Sequence, residues 1–278
     1  MNVALVQQVA TPDRAANVQR GLDAVRRAAA DGADLVCFAE LAFDPFYPQH
    51  CAEPGFADLA EPVPGPTTEA FTALARDLGV VIVLNVFERD ERADGTVQTF
   101  DTSPVIDADG TLLGVTRMVH ITDYEGFHEQ GYYTPGDRGA PVYDTAAGRL
   151  GVAICYDRHY PEYLRALALG GAEVVVVPQA GAVGEWPDGL YEAEMRVAAF
   201  QHGFFTALVN RVGAEERLTF AGESFVCNPA GEVIARAGEG TEEILHAELD
   251  LSEVGRSHAR KLFLRDRRPE LYADWLAQ

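Results

Sequence analysis

Residues 2–7 alternate between apolar and polar positions and are rich in β-formers, and Thr11-Pro12 then predicts an N-cap followed by proline at the first helical position. Val18, Leu22, Val25 and Ala29 recur at helical spacing up to Asp31-Gly32, and the apolar run of residues 34–38 predicts a second strand. The opening is therefore β-α-β. Residues 44–66 are rich in proline and aromatics and read as a long irregular loop. A helix is predicted over about residues 67–78, and the apolar run 80–87 reads as one strand buried on both faces. Asp94-Gly95 and Asp109-Gly110 separate β-like runs, so residues 96–118 are expected to form antiparallel strands joined by tight turns.

A second long loop is expected over residues 122–140, followed by a short apolar strand at 150–155. Pro161-Glu162 opens a helix whose Leu164, Leu167 and Ala168 should face inward, and a strand at 173–177, a helix at 191–202, a strand at 204–210 and a hairpin at Ala230-Gly231 complete a mixed α/β pattern. No repeat, low-complexity tract or linker interrupts it, so residues 1–278 are expected to form one domain. The segment from about 254 to 278 lacks a clear core pattern and is the candidate for a subunit interface.

Composition narrows the function classes. The 47% apolar content supports a large core, yet no apolar run approaches the roughly 20 residues a membrane-spanning helix needs. The first residues lack a basic, apolar leader pattern, so no export signal is read. A net charge of -21, from 43 acidic against 22 basic residues, argues against nucleic acid or an anionic membrane as partner. Cys37, Cys51, Cys155 and Cys227 are scattered without a CxxC or Cys/His cluster, which points away from zinc or a disulfide framework and toward a reducing, cytoplasmic setting. No metal or organic cofactor is expected. A doubly wound nucleotide-binding protein is disfavoured because no glycine-rich phosphate loop follows the first strand.

Two residues stand where an α/β protein places its chemistry. Cys155 closes an apolar run before a polar turn and a helix, where a thiol is exposed and backbone N–H groups face an oxyanion. Glu40 closes the earlier run 35–39, where an unpaired carboxylate is costly to bury. Taken singly, each has an ordinary reading, as a core cysteine and a solvated strand-end glutamate. Taken as a pair, they can meet in one crevice.

The runs GVAICYDRHYPE (151–162), ADLVCFAELAF (33–43), FHEQGYYTPGD (127–137), NRVG (210–213) and TFAGESFVCNPAGEV (219–233) occur in an order that resembles the nitrilase superfamily of carbon-nitrogen hydrolases. The resemblance implies a four-layer α-β-β-α sandwich, a homodimer or higher homo-oligomer, and a Glu-Lys-Cys triad. Carried over by position, Glu40 is the general base, Cys155 forms a thioester, Glu129 braces the site and the N–H of Tyr156 is an oxyanion donor. CYDRHYPE is similar to branches that hydrolyse N-carbamoyl amino acids, in which an arginine at the position of Arg158 binds a substrate carboxylate; an Asp157-Arg158 pair that only holds the turn is the alternative. His120 and His128, the latter beside Glu129, are candidates to supply a cation when protonated, and His128 is also a candidate to bind substrate. The substrate implied is a small amide or ureido compound.

The run TRMVHI (116–121) departs from the family, because Met118 occupies the lysine position. A thioether neither carries charge nor donates to an oxyanion, and losing one such donor costs on the order of 10²- to 10³-fold in rate. Arg117 is expected to point to the opposite strand face, whereas His120 shares the face of Met118. Without lysine, Glu40 and Glu129 should repel, which raises one pKa and leaves an acid able to donate a proton. The alternative to an active hydrolase is a catalytically impaired member that binds a small acid as sensor or scaffold.

Overall fold

Residues 1–276 are described in a computed structural model. The chain runs β1 (Asn2–Gln7), α1 (Arg14–Ala30), β2 (Leu35–Phe38), α2 (Pro66–Leu78), β3 (Val81–Val83), β4 (Val86–Glu91), β5 (Val97–Ile106), β6 (Leu112–Arg117), β7 (Val142–Thr145) and β8 (Gly148–Val152). It continues through α3 (Pro161–Leu169), β9 (Val174–Gln179), α4 (Leu190–His202), β10 (Phe205–Asn210), β11 (Val212–Ala214), β12 (Thr219–Ala221), β13 (Phe225–Cys227), β14 (Val233–Arg236), β15 (Glu243–Glu248), α5 (Ser252–Arg256) and α6 (Pro269–Leu276). One sheet has the order β15-β1-β2-β3-β5-β4 with β6 also on β5, and the other has the order β14-β13-β10-β9-β8-β7.

Strand periodicity explains the layering. Along β2, Leu35 and Cys37 enter one apolar cluster while Val36 and Phe38 enter another, because successive side chains leave opposite faces. Leu35 and Cys37 meet Val152, Val174 and Val176 of the second sheet. Val36 and Phe38 pack under Ala24, Val25 and Ala28 of α1 and Phe71 of α2. On the far side, Val175 and Val177 lie under Leu164 and Leu167 of α3 and Met195 and Ala199 of α4. The result is the expected four-layer α-β-β-α sandwich. Both faces of the central strands are covered, which is why they read as continuous apolar runs.

Several local expectations are corrected. The first helix begins at Arg14, capped by Asp13, whose carboxylate accepts from Ala16 N–H at 3.0 Å. Thr11 instead bonds the buried Asn17 at 2.9 Å. The buried stripe of α1 is Asn17, Gly21, Ala24, Val25 and Ala28, with Val18, Leu22 and Ala29 at its flank. Small residues lead because the helix lies close on the aromatics beneath it: a Cβ on Gly21 would sit 2.6 Å from the Phe43 ring. The run 80–87 is two strands, not one. It breaks at Leu84-Asn85, where the Asn85 side chain accepts from Leu41 N–H at 2.7 Å and donates to Asp101 at 2.5 Å and Ser103 at 3.2 Å. The strand expected to reach residue 155 ends at Val152, and Cys155 opens a one-turn 3₁₀ helix over Cys155–His159.

The hairpins at Asp94-Gly95 and Asp109-Gly110 form as expected, with β5 antiparallel to both β4 and β6. β15, antiparallel to β1, carries alternating charged and half-buried residues and was not expected from the pattern. In the C-terminal segment Leu262, Phe263 and Trp275 are exposed, and its last two residues lie outside the described ones. Among the described residues no helix is long and apolar enough to cross a membrane.

Candidate active site

Glu40 follows β2, Cys155 follows β8, and Glu129 sits in a single 3₁₀ turn of the 122–140 loop. The two sheets bring all three inside, where their reactive atoms lie within 4.8 Å of one another. The backbone bends sharply at the chemistry: Leu41 has φ 44° and Cys155 has φ 40°. For residues with a side chain this left-handed region is disfavoured and persists only where the surroundings hold it. Here Leu41 N–H is held by Asn85, the Glu40 carbonyl accepts from Arg211 at 2.9 Å, and the Cys155 carbonyl accepts from Arg158 at 2.9 Å.

A fourth group in the cluster was missed from the sequence. Asp101 on β5 is fully buried; one carboxyl oxygen accepts from Asn85 at 2.5 Å and the other has no partner. Met118 N–H donates to the Asp101 carbonyl at 2.9 Å, directly across the β5–β6 ladder. Facing residues of an antiparallel pair project to the same side, their Cβ atoms about 4.5–5.5 Å apart. An acid thus stands beside the residue expected at the lysine position. The signal was an aspartate inside a strand whose neighbours at 99 and 103 are also polar and buried.

Electrostatics follow from burial without a counter-charge. Both Glu40 oxygens, one of Glu129 and one of Asp101 lack hydrogen-bond partners. Burial, reinforced by the charge of Glu129, pushes Glu40 up to about 8. Burial and the neighbouring Glu40 hold Asp101 well above the usual carboxylate range, and burial with Asp101 does the same to Glu129. Burial followed by the charge of Glu40 raises the Cys155 thiol, with Arg158 opposing. Desolvation dominates throughout.

The nearby cations are engaged elsewhere. Arg117, as expected, leaves the opposite face: it pairs with Glu88 at 2.6 Å, Asp90 at 2.9 Å and Asp137 at 2.9 Å, and lies over Phe100. Arg211 donates to the carbonyls of Glu40, Leu41 and Asp44 and to Glu215. Arg158 is buried, bonded to the Cys155 carbonyl, to Gln179 at 2.7 Å and to Glu194 at 3.2 Å. His120 bonds Asp157 at 2.6 Å and stacks on Tyr160. Asp157 also collects the N–H groups of Val119 and His120, tying the strand end after Met118 to the nucleophile turn.

Of the expected site residues, Glu40, Glu129, Cys155 and Met118 are brought together in one buried region. Tyr156 follows the nucleophile in its turn. His128 is not part of the cluster. Its ring faces Asp123 at 3.2 Å, in a surface hollow shared with Cys51, Glu53 and Phe56. One further acid went unread: Glu185 accepts from Tyr124 at 2.5 Å, from Tyr191 and from Ala182 N–H, and its charge reaches Cys155.

Residues 2–259 match the carbon-nitrogen hydrolase family. An N-carbamoylputrescine amidase of Solanum lycopersicum is 37% identical over 98% of this chain and 93% of its own length. A citrullinase of Francisella tularensis is 32% identical over 98% of this chain and 96% of its own. A solved carbon-nitrogen hydrolase from Helicobacter pylori G27 superposes with TM-score 0.89 at 33% identity, covering 99% of this chain and 98% of that one. A mutant amidase from Nesterenkonia sp. AN1, solved with the acetamide moiety of fluoroacetamide added at its active-site cysteine, superposes with TM-score 0.81 at 28% identity over 99% of this chain and 96% of that one. With a family model over residues 2–259 and relatives above 30% identity along almost its whole length, this chain belongs to the carbon-nitrogen hydrolases of the nitrilase superfamily.

Proposed function

We propose that the protein hydrolyses a small amide or N-carbamoyl compound through a thioester on Cys155. The buried convergence of Cys155, Glu40 and Glu129 within 4.8 Å carries this reading. Ionised Glu40 takes the thiol proton as sulfur attacks the carbonyl carbon. The C–N bond then breaks, and the departing nitrogen takes that proton. Glu40 next activates the water that cleaves the thioester. Glu129 braces the acid cluster, and Tyr156 N–H faces the developing oxyanion.

Arg158 acts here by holding the nucleophile turn, since its contacts go to Cys155, Gln179 and Glu194. With Glu185 near the thiol, the lining favours a substrate whose far end is neutral or cationic over one ending in carboxylate. N-carbamoylputrescine, named for one relative, is an amine-ended ureido compound of this kind. Exposed Leu262, Phe263 and Trp275 support a homo-oligomer assembled through the C-terminal segment.

A second reading, an impaired protein that binds without turnover, is favoured by Met118 at the lysine position and by the raised Cys155 thiol. One experiment separates them: ammonia release and intact mass over a panel of N-carbamoyl amines, N-carbamoyl amino acids and simple amides. The hydrolase gives ammonia and an acyl adduct that Cys155→Ala abolishes. Absence of both across the panel overturns the hydrolase reading.

A further inference from the structure

The family triad would place a lysine where Met118 stands, and nothing in its surroundings supplies the missing charge. Among the described residues no cationic side chain bonds the carboxyl of Glu40, Asp101 or Glu129. Arg117 is turned away, while Arg158 and Arg211 donate to carbonyls and to acids outside the cluster. Glu40 nevertheless has Asp101 and Cys155 as neighbours: Asn85 ties Leu41 N–H to the Asp101 carboxyl, the charge of Glu40 reaches Asp101, and the Cys155 thiol lies within 4.8 Å of the Glu40 carboxyl. A contact between two carboxyl groups is attractive only if one of them keeps its proton. A shared proton would also satisfy the orphan Asp101 oxygen and one of the two orphan oxygens of Glu40.

We propose that Asp101 works as a neutral acid, donating its hydroxyl hydrogen to Glu40 and thereby positioning the base in its ionised form. The inference rests on the hydrolase reading for its catalytic meaning, but the protonation state stands apart from it. Asn85 fixes the orientation: its amide donates to one Asp101 oxygen at 2.5 Å and leaves the other buried without a partner. The cross-strand placement beside Met118 explains why an acid substitutes from this position.

The proton count closes. In the working form Asp101 is COOH and Glu40 is carboxylate. The thiol proton moves to Glu40 as the S–C bond forms and the carbonyl electron pair goes to oxygen. When the C–N bond breaks that pair returns, and the leaving nitrogen carries off the proton from Glu40. Water adds to the thioester by the same route, its proton passing through Glu40 to the departing sulfur. Asp101 keeps its own proton throughout, so it is a positioning residue.

The charged and titrating groups around Asp101 are Glu40 from the turn after β2, Glu129 and Tyr133 from the 122–140 loop, and Asp157 from the nucleophile turn. Arg211, between β10 and β11, is the cation whose charge reaches Glu40 and Tyr133. The pair therefore releases its two protons in two separated steps, the first near the value of about 8 that Glu40 carries. Activity is greatest between the two steps.

The test joins infrared spectroscopy of the substrate-free protein with kcat/KM against pH. The native protein is expected to show protonated-carboxyl C=O absorption at neutral pH, to which buried Glu129 also contributes, and Asp101→Asn is expected to remove one component of it. Asp101→Ala is expected to lose activity by roughly tenfold or more, as befits a lost hydrogen bond to a charged group. Asp101→Asn, which still donates, should recover most of that loss while the falling limb of the profile disappears. Met118→Lys, placing an ammonium opposite Asp101, should also remove the Asp101 component of the band.

The idea is overturned if no protonated-carboxyl band exists, if Asp101→Asn leaves the band undiminished, or if the native and Asp101→Asn profiles superimpose. It is equally overturned if elemental analysis finds a stoichiometric metal ion in the purified protein that Glu40→Gln releases, since the cluster would then hold a cation in place of a proton. A protein inactive on every substrate but showing the Asp101-dependent band would sink the hydrolase reading and leave the shared proton standing.

Discussion

Arg117 and Met118 are consecutive residues at the end of one strand, both almost fully buried at 2% and 1% exposure, and each faces a group of three acids. On one side Glu88, Asp90 and Asp137 surround a guanidinium. On the other, Glu40 and Glu129 lie within 4.8 Å of the thiol of Cys155, and Asp101 stands across the ladder from the thioether of Met118. The first cluster balances its charge by ion pairing, with geometry that an arginine fork satisfies well. The second has no such partner and must keep protons instead. Buried acid is therefore handled by two routes within one residue of each other, and only the second is poised to exchange protons.

The contrast is broken most severely by Arg117→Met. Removing one partner of a buried pair leaves Glu88 unpaired, at a cost of about 3–5 kcal/mol, which urea denaturation should register as a large drop in midpoint.

A smaller, pH-dependent effect is expected on the other face. Glu40 in the folded protein holds its proton up to about 8, against 4.5 as its ordinary value. The native state thus binds a proton that the unfolded chain releases between those values. Its contribution to stability is fully present below about 4.5 and is lost as pH rises toward 8. Asp101 and Glu129, also raised, act in the same direction. Glu40→Gln should therefore be more stable than the native protein at pH 8 and indistinguishable near pH 4. A denaturation series showing a constant difference would contradict the assignment.

Met118→Lys sharpens the comparison by giving the second face a cation. Ammonia release should rise at neutral pH, and the rising limb of the rate profile should move to lower pH as both acids ionise more readily. The smallest effect is expected from His128→Ala. Its ring bonds Asp123 at the surface, and a change there should alter kcat/KM by less than about twofold, in keeping with substitutions away from buried features.

Much of the architecture was legible because apolar runs and their periods reflect burial directly. Cys155 and Glu40 could be singled out by their place after such runs, and Glu129 and Met118 only through resemblance to known motifs. Asp101 was not legible. An aspartate within a strand reads as solvent-facing unless its cross-strand partner is known, and the register of β5 on β6 shifts at Val105/Ile106 before it reaches that position. His128 lies beside Asp123 and outside the buried cluster, a placement that adjacency to Glu129 in sequence does not fix. The break at Asn85 escaped notice because its amide is satisfied by groups at 41, 101 and 103.

The sequence by itself determined the strands, the helices and the faces they bury, since backbone sterics impose periods of two and 3.6 on any chain that hides apolar side chains. From these the four layers follow. Tertiary structure alone decided that three acids and a thiol share one dry interior while every neighbouring arginine looks elsewhere. That outcome depends on loops arriving from distant parts of the chain and on the water they exclude. Desolvation, which governs each of these protonation states, has no local signature in the order of residues.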